Sequence, residues 1–234
     1  MTALATRALT SPVPQDSSVQ WRDLGDDVAG WLAAEESPPA LAIGHSMGAT
    51  ALIYAAAAHP RRFCGLVILE PAMLGPALAR VLGLLPMSLR RRFQPAKGAL
   101  RKRDTWPDVA AFRQSCERSG LYRRVPPAGM EALIDAAVRP SEGGVSLVYP
   151  KAWEAYGYMT ATFPGRALAA VELPVIGIRG EPSIFLDERR WRACIAGQPK
   201  GWFRQLDRVG HLLPLEAPER TAAAIFEGLD AVGL

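Results

Sequence analysis

The chain has 234 residues, 49% of them apolar and 21% charged, with a formal net charge of +4. That length fits one domain, or one domain carrying an insertion, and buries a core without a disulfide or metal staple. The composition excludes a disordered chain and a collagen-like repeat.

The first residues, Met1 to Arg7, have no apolar core and do not read as a secretory signal. Residues 3–9 are expected to form a short strand, followed by a Pro/Ser loop from Ser11 to Ser18. Trp21, Leu24, Val28, Trp31 and Leu32 recur at helical spacing, and Ser37-Pro38-Pro39 ends that helix. Ala40 to Ile43 is a short apolar run fitting a buried strand. Ser46 to Ala58 is alanine-rich and reads as a helix stopped near Pro60. The stretch Ser37 to Pro60 lacks Asp, Glu, Lys and Arg, but its Gly44-His45-Ser46 turn and bounding prolines favour a buried strand and helix over a membrane span. Leu66 to Leu69 and Pro174 to Ile178 read as further buried strands, Trp202 to Leu206 as a fourth, and Pro218 opens a final helix running to about Leu229. Apolar strands alternating with helices predict an α/β fold with a mostly parallel sheet covered by helices on both faces.

Residues 71–165 break this rhythm, being basic, proline-punctuated and predicted helical. They are expected to form a helical cap inserted in a core made of 1–70 and 166–234. Leu84, Leu85, Met87, Trp153 and Tyr156 are candidates either to line a pocket under the cap or to form its own small core. Residues 80–124 hold twelve Lys/Arg against three Asp/Glu, including Arg90-Arg91-Arg92 and Arg101-Lys102-Arg103. An anionic partner such as nucleic acid, a membrane surface or a coenzyme A phosphate would suit them. So would plain solvation in a chain with 23 Arg and 4 Lys. No nucleic-acid fold signature accompanies the clusters and few aromatics are interleaved, so no nucleic-acid partner is expected. Cys64, Cys116 and Cys194 are an odd number with no Cys-x-x-Cys spacing. They favour a reducing cytoplasm and offer no zinc framework; neither a metal nor a cofactor is expected.

The informative motif is Gly44-His45-Ser46-Met47-Gly48, a G-x-S-x-G with a predicted strand before it and a helix after it. A strand turning sharply into a helix puts the serine at a strained apex, and side chains at the two glycine positions are expected to collide with neighbouring backbone. The turn lifts the Ser46 hydroxyl clear of the sheet, and the helix N-terminus lets the Met47 N–H donate to a developing oxyanion. With this context the sequence resembles an α/β-hydrolase-fold protein of the serine esterase type. Val209-Gly210-His211-Leu212-Leu213-Pro214-Leu215-Glu216 is similar to that fold's histidine loop. The resemblance covers roughly residues 19–70 and 171–230, the insertion matching only in placement and helical character.

A serine hydroxyl needs a base to take its proton. His45 precedes Ser46 in the turn and is expected to point away from it as a packing residue. His59 sits at the end of the helix. His211 alone is expected to return to the carboxyl edge of the sheet. For the acid, the resemblance implies an aspartate soon after the strand Pro174–Ile178, where this chain has Ser183 and Ile184 instead. Some similar proteins carry it after the strand that follows the nucleophile helix, which here is Glu70. Glu70 therefore ranks first, Asp187 second and Glu181 third; the task is to orient His211 and stabilise its charged form.

Only 45 residues precede Ser46. The resemblance implies further strands ahead of it and an HG-type turn supplying a second oxyanion donor, and no histidine precedes His45. A core shortened at its N-terminus is expected, with a sheet edge open to a partner strand or a homo-oligomer. The resulting reading is hydrolysis of a carboxylic ester, thioester or lactone on a small-molecule acyl substrate. A catalytically impaired, truncated binding protein and an acyltransferase are the alternatives.

Overall fold

A computed structural model describes residues 2–234. Its strands are β1 (Ala40–His45), β2 (Phe63–Leu69), β3 (Thr105–Trp106), β4 (Val138–Ser141), β5 (Gly144–Leu147), β6 (Val175–Glu181) and β7 (Trp202–Asp207). β1, β2, β6 and β7 form one parallel sheet in the order β1-β2-β6-β7. This is the α/β architecture the alternating pattern predicts.

β2 shows why the central strands read as unbroken apolar runs. Phe63, Leu66 and Ile68 face one layer of helices while Val67 and Leu69 face the other, and all are buried. The first layer holds the helices Trp21–Ala34, Met47–Ala58, Gly165–Ala169 and Glu188–Gly197. The second holds the final helix Pro218–Val232. The two helices flanking β1 approach closely through Gly25, where an added Cβ would lie 2.5 Å from the Ala51 carbonyl oxygen and 2.8 Å from the Ala55 nitrogen. Gln20 and Asp23 close a capping box at the start of the first of them.

β1 lies at the edge of the sheet. Ala42 packs into the first layer, but Leu41 and Ile43 point to the other face beyond the final helix and stay exposed.

Residues 3–9 are not a strand. Arg7–Thr10 form a short helix, because Arg7 donates to both Asp27 carboxylate oxygens at 2.5 and 2.6 Å and Ala8 is buried against Trp153 and Tyr156. The segment between β2 and β6 is also not purely helical. It contains an antiparallel sheet, β3-β5-β4, whose β4–β5 hairpin turns at Glu142-Gly143 with Gly143 at φ +74°. Trp153 and Tyr156 are buried and bind the front of the chain: the indole N–H donates to the Ser11 carbonyl at 2.8 Å and the Tyr156 hydroxyl to the Val19 carbonyl at 2.9 Å. Met87 packs against them, whereas Leu84 is 82% exposed. Among the described residues no helix is long and apolar enough to cross a membrane.

Candidate active site

The carboxyl ends of β1, β2 and β6 converge with the loop after β7. At the end of β1 the chain turns at Ser46, with φ 54° and ψ −121°, directly into the helix Met47–Ala58. Such a conformation costs a non-glycine residue roughly 1–3 kcal/mol, and the surroundings must hold it. They do so through the backbone: the Ser46 N–H donates to the Leu69 carbonyl at 2.9 Å, and the Ser46 carbonyl accepts from Thr50 and Ala72 at 3.2 and 3.1 Å. The two motif glycines differ in purpose. A Cβ on Gly44 would lie 2.7 Å from the Ala49 nitrogen and 2.8 Å from its Cα, but a Cβ on Gly48 would meet nothing within 4 Å. The expected collision therefore holds at Gly44 and fails at Gly48, which lies on the exposed side of the helix.

The Ser46 hydroxyl oxygen is 3.0 Å from His211 Nε2. The other ring nitrogen, Nδ1, is 3.1 Å from Glu70 Oε2. Glu70 directly follows β2, is 0% exposed and sits at φ 45°. Its Oε1 accepts the Gly180 N–H at 2.7 Å, and its Oε2 also accepts the Ser183 hydroxyl at 2.5 Å. With a carboxylate on the Nδ1 side, the imidazole carries its proton there and presents a bare Nε2 to the hydroxyl. The first N–H of the helix after Ser46, on Met47, is one of the donors an α-helix leaves without an internal partner. The arrangement can thus move a proton from the hydroxyl to the ring and hold the resulting imidazolium beside a buried anion.

A model of the alpha/beta hydrolase family matches residues 6–224. The chain belongs to the alpha/beta hydrolase family. No curated protein matches it in sequence. Among solved structures, E-2-(acetamidomethylene)succinate hydrolase is 22% identical with a TM-score of 0.76, the match covering 94% of this chain and 77% of that one. A thermophilic esterase from Thermogutta terrifontis is 22% identical with a TM-score of 0.64, covering 94% and 75%. A peroxisomal alpha-beta-hydrolase from Saccharomyces cerevisiae is 18% identical with a TM-score of 0.69, covering 93% and 61%. At these identities the likeness shows the fold alone.

In this hydrolase-family chain the two other carboxylates weighed as partners of His211 lie elsewhere. Asp187 caps the helix Glu188–Gly197, accepting the Arg190 N–H at 2.8 Å, and pairs with the Arg190 guanidinium at 3.0 Å. Glu181 is half-exposed and pairs with the buried Arg179 guanidinium. Ser183, standing where the resemblance implies an aspartate, turns its hydroxyl to Glu70 while accepting the Leu186 N–H at 2.9 Å.

Two supports of His211 carry no sequence pattern of their own. His45 is more than packing: its Nε2 donates to the His211 carbonyl at 2.7 Å. Burial, and then the neighbouring His211 charge, push the His45 pKa down to about 4. Glu216 holds the loop from the other side, accepting the N–H groups of Gly210 and Leu212 at 2.6 and 3.3 Å. Phe185 meets the imidazole edge-on with ring centroids 4.5 Å apart. His59 pairs with Asp26 at 3.1 Å, exposed and remote from Ser46 as expected. Among the described residues no group of three or more His, Cys, Asp or Glu side chains is placed to hold a metal ion. Burial pushes the Cys194 thiol up to about 12, which keeps it from acting as a nucleophile.

The two glycines are separable by melting. Gly44→Ala is expected to cost roughly 1–3 kcal/mol through overpacking against backbone, whereas Gly48→Ala leaves stability unchanged or raises it by up to about 1 kcal/mol. Equal melting points for the two variants would refute the close-approach account. His45 supplies a pH dependence. Its folded pKa of about 4 lies below the ordinary 6.5, so between these values the unfolded chain binds the extra proton and stability falls as pH falls. His45→Gln retains an N–H for the His211 carbonyl and has no such proton. Its melting point should therefore change less than the wild type's across that window in calorimetry at stepped pH.

Proposed function

We propose that this protein is a serine hydrolase that cleaves a carboxylic ester, thioester or lactone through an acyl-enzyme on Ser46. The observation that carries the reading is the unbroken chain from Ser46 Oγ to His211 Nε2 at 3.0 Å and from His211 Nδ1 to Glu70 Oε2 at 3.1 Å. Ser46 attacks the substrate carbonyl as its proton passes to His211 Nε2. Glu70 holds the ring in the required tautomer and stabilises the imidazolium without taking the proton itself. The negative charge that develops on the carbonyl oxygen is met by the Met47 N–H at the positive end of a twelve-residue helix. Collapse of the tetrahedral intermediate breaks the bond to the leaving oxygen or sulfur, which takes the proton back from His211. Water, deprotonated by the same nitrogen, then releases the acid and restores Ser46. Residues 71–165, on a core of 1–70 and 166–234, form the cap over the entrance in this reading. No resident cofactor enters these steps, and the substrate is a small acyl compound.

Turnover of p-nitrophenyl butyrate and labelling by a fluorophosphonate test the reading together. Ser46→Ala is expected to lose the label, and Ser46→Ala and His211→Ala each to lower kcat by roughly 10⁴-fold or more. Glu70→Gln is expected to lose roughly 10³- to 10⁴-fold, and Asp187→Asn to leave kcat within a factor of about two, since Asp187 bonds Arg190 and not His211 and asparagine also caps a helix. A folded wild-type protein that takes no label, or activity that survives both the Ser46 and His211 changes, overturns it.

A further inference from the structure

The helix Pro76–Leu84 has no buried residue. Leu78 and Val81 are more than half exposed and Leu84 is 82% exposed, and their three-residue spacing aligns them along one side of the helix. Leu89, in the short helix Met87–Arg90, and Phe93, in the turn after it, also stay exposed. Soluble surfaces scatter large apolar side chains singly; a run of five within sixteen residues marks an interaction surface.

Arg90 makes these elements one unit. Its guanidinium, 8% exposed and facing no carboxylate, donates from Nε to the Leu85 carbonyl at 2.7 Å and from Nη2 to the Gly83 carbonyl at 2.9 Å. Those carbonyls belong to the negative end of the Pro76–Leu84 helix, where a cation is favoured. Nη1 reaches the Met159 carbonyl at 3.2 Å, fastening the unit to the helix Lys151–Met159. The Leu84 end of the apolar stripe and the Arg91-Arg92-Phe93 turn are therefore held side by side.

The unpaired charge along residues 80–103 is of one sign. Arg80, Arg91, Arg92, Lys97, Arg101 and Arg103 are exposed and take part in no ion pair among the described residues. The acids nearby are already engaged, Glu154 with Lys102 and Asp104 with Lys151. An apolar stripe bordered by unpaired cations matches a surface that offers hydrocarbon beneath negative charge.

We propose that this face docks the protein on an anionic lipid surface. Leu78, Val81 and Leu84 enter the boundary between headgroups and acyl chains, and the arginines meet the headgroup phosphates. A nucleic acid would satisfy the cations and leave the leucines in water. A second copy meeting this face across a twofold axis would bring like charges together. The helix begins four residues after Ala72, whose N–H is bonded to the Ser46 carbonyl.

The test is co-sedimentation of the full chain with phosphatidylcholine vesicles, with and without phosphatidylglycerol, and it is independent of whether Ser46 is reactive. Binding is expected only with phosphatidylglycerol and is expected to weaken as salt rises. Arg91→Ser/Arg92→Ser should lower the partition coefficient about 25-fold, from roughly fivefold per surface cation. Leu78→Ser/Val81→Ser/Leu84→Ser should abolish binding with the circular dichroism unchanged; should that variant fail to fold, Leu84→Ser alone must weaken binding. Equal binding to both vesicle types, binding to neither, or binding unaffected by the serine variants overturns the proposal. So does a lipid-free dimer that the serine variants dissociate, which assigns the face to a second copy. Retention of RNA, lost in the arginine variant and kept in the serine variants, assigns it to nucleic acid and overturns it equally.

Discussion

A carboxylate with no solvent contact is the constraint around which this site is built. Moving such a charge out of water costs several kcal/mol unless its oxygens are fully matched by donors. At Glu70 they are: Gly180 N–H on one oxygen, the Ser183 hydroxyl and the His211 ring on the other. Removing any one donor leaves a buried anion short of a partner, so these groups are fixed relative to one another more tightly than apolar packing alone would fix them. Because His211 is one of the donors, the orientation of its ring follows from the satisfaction of Glu70. Gly180 is part of the same solution. A Cβ there would come within 2.4 Å of the Gly210 carbonyl oxygen, so the absence of a side chain lets the histidine loop close down over β6.

The backbone around Ser46 and Glu70 shows how two strained residues support each other. His45 and Leu69 are paired in the β1–β2 ladder, and the chain then enters positive φ on both strands at the next residue. The Ser46 N–H still reaches the Leu69 carbonyl, the Glu70 N–H reaches Ile178 at 2.8 Å, and the Ala72 N–H returns to the Ser46 carbonyl. Each left-handed turn thus keeps the main-chain bonds that an ordinary strand end would lose. Roughly 1–3 kcal/mol of strain at each residue is thus held by main-chain bonds that run across β1, β2 and β6.

The sheet and the position of Ser46 were legible in the sequence because their causes are local and repetitive. Three apolar runs bounded by glycine or proline became β1, β2 and β6, and the mixed segment Trp202–Asp207 became β7. Gly44 announced the turn because backbone lies within 2.8 Å of where its side chain would be. Gly48 has the motif's spacing but not its crowding, since a Cβ there would meet nothing within 4 Å. Glu70 ranked first in the sequence as an acid directly at the end of a buried strand; what the sequence could not give was the place of the two alternatives, Asp187 beside Arg190 and Glu181 beside Arg179. The β3-β5-β4 sheet was hidden because its strands are two to four residues long and one contains Pro140. The front helix was hidden because Arg7 is held by an aspartate twenty residues away. His45 and Glu216 left no pattern because both bind the main chain of the histidine loop, and any sequence with the same backbone offers them the same partners.

The strand that carries Ser46 sits at the edge of the sheet, so its support is one-sided. β2 pairs with it along its length, and the helices Trp21–Ala34 and Met47–Ala58 clamp it from one face through the close contact at Gly25. On the other face Leu41 and Ile43 remain in solvent. The clamped face is tied in turn to the front of the chain. Arg7 is tied to Asp27 on the flanking helix, while Ser11 and Val19 are bonded to Trp153 and Tyr156 in the segment between β2 and β6. Trp21 adds a bond to the Gly157 carbonyl at 3.1 Å, and Gly157 is the residue whose added Cβ would touch the Met47 sulfur at 3.5 Å. The front segment therefore joins the inserted segment to the helix that follows Ser46. Glu70 and His211, by contrast, are held from β2, β6 and the loop after β7.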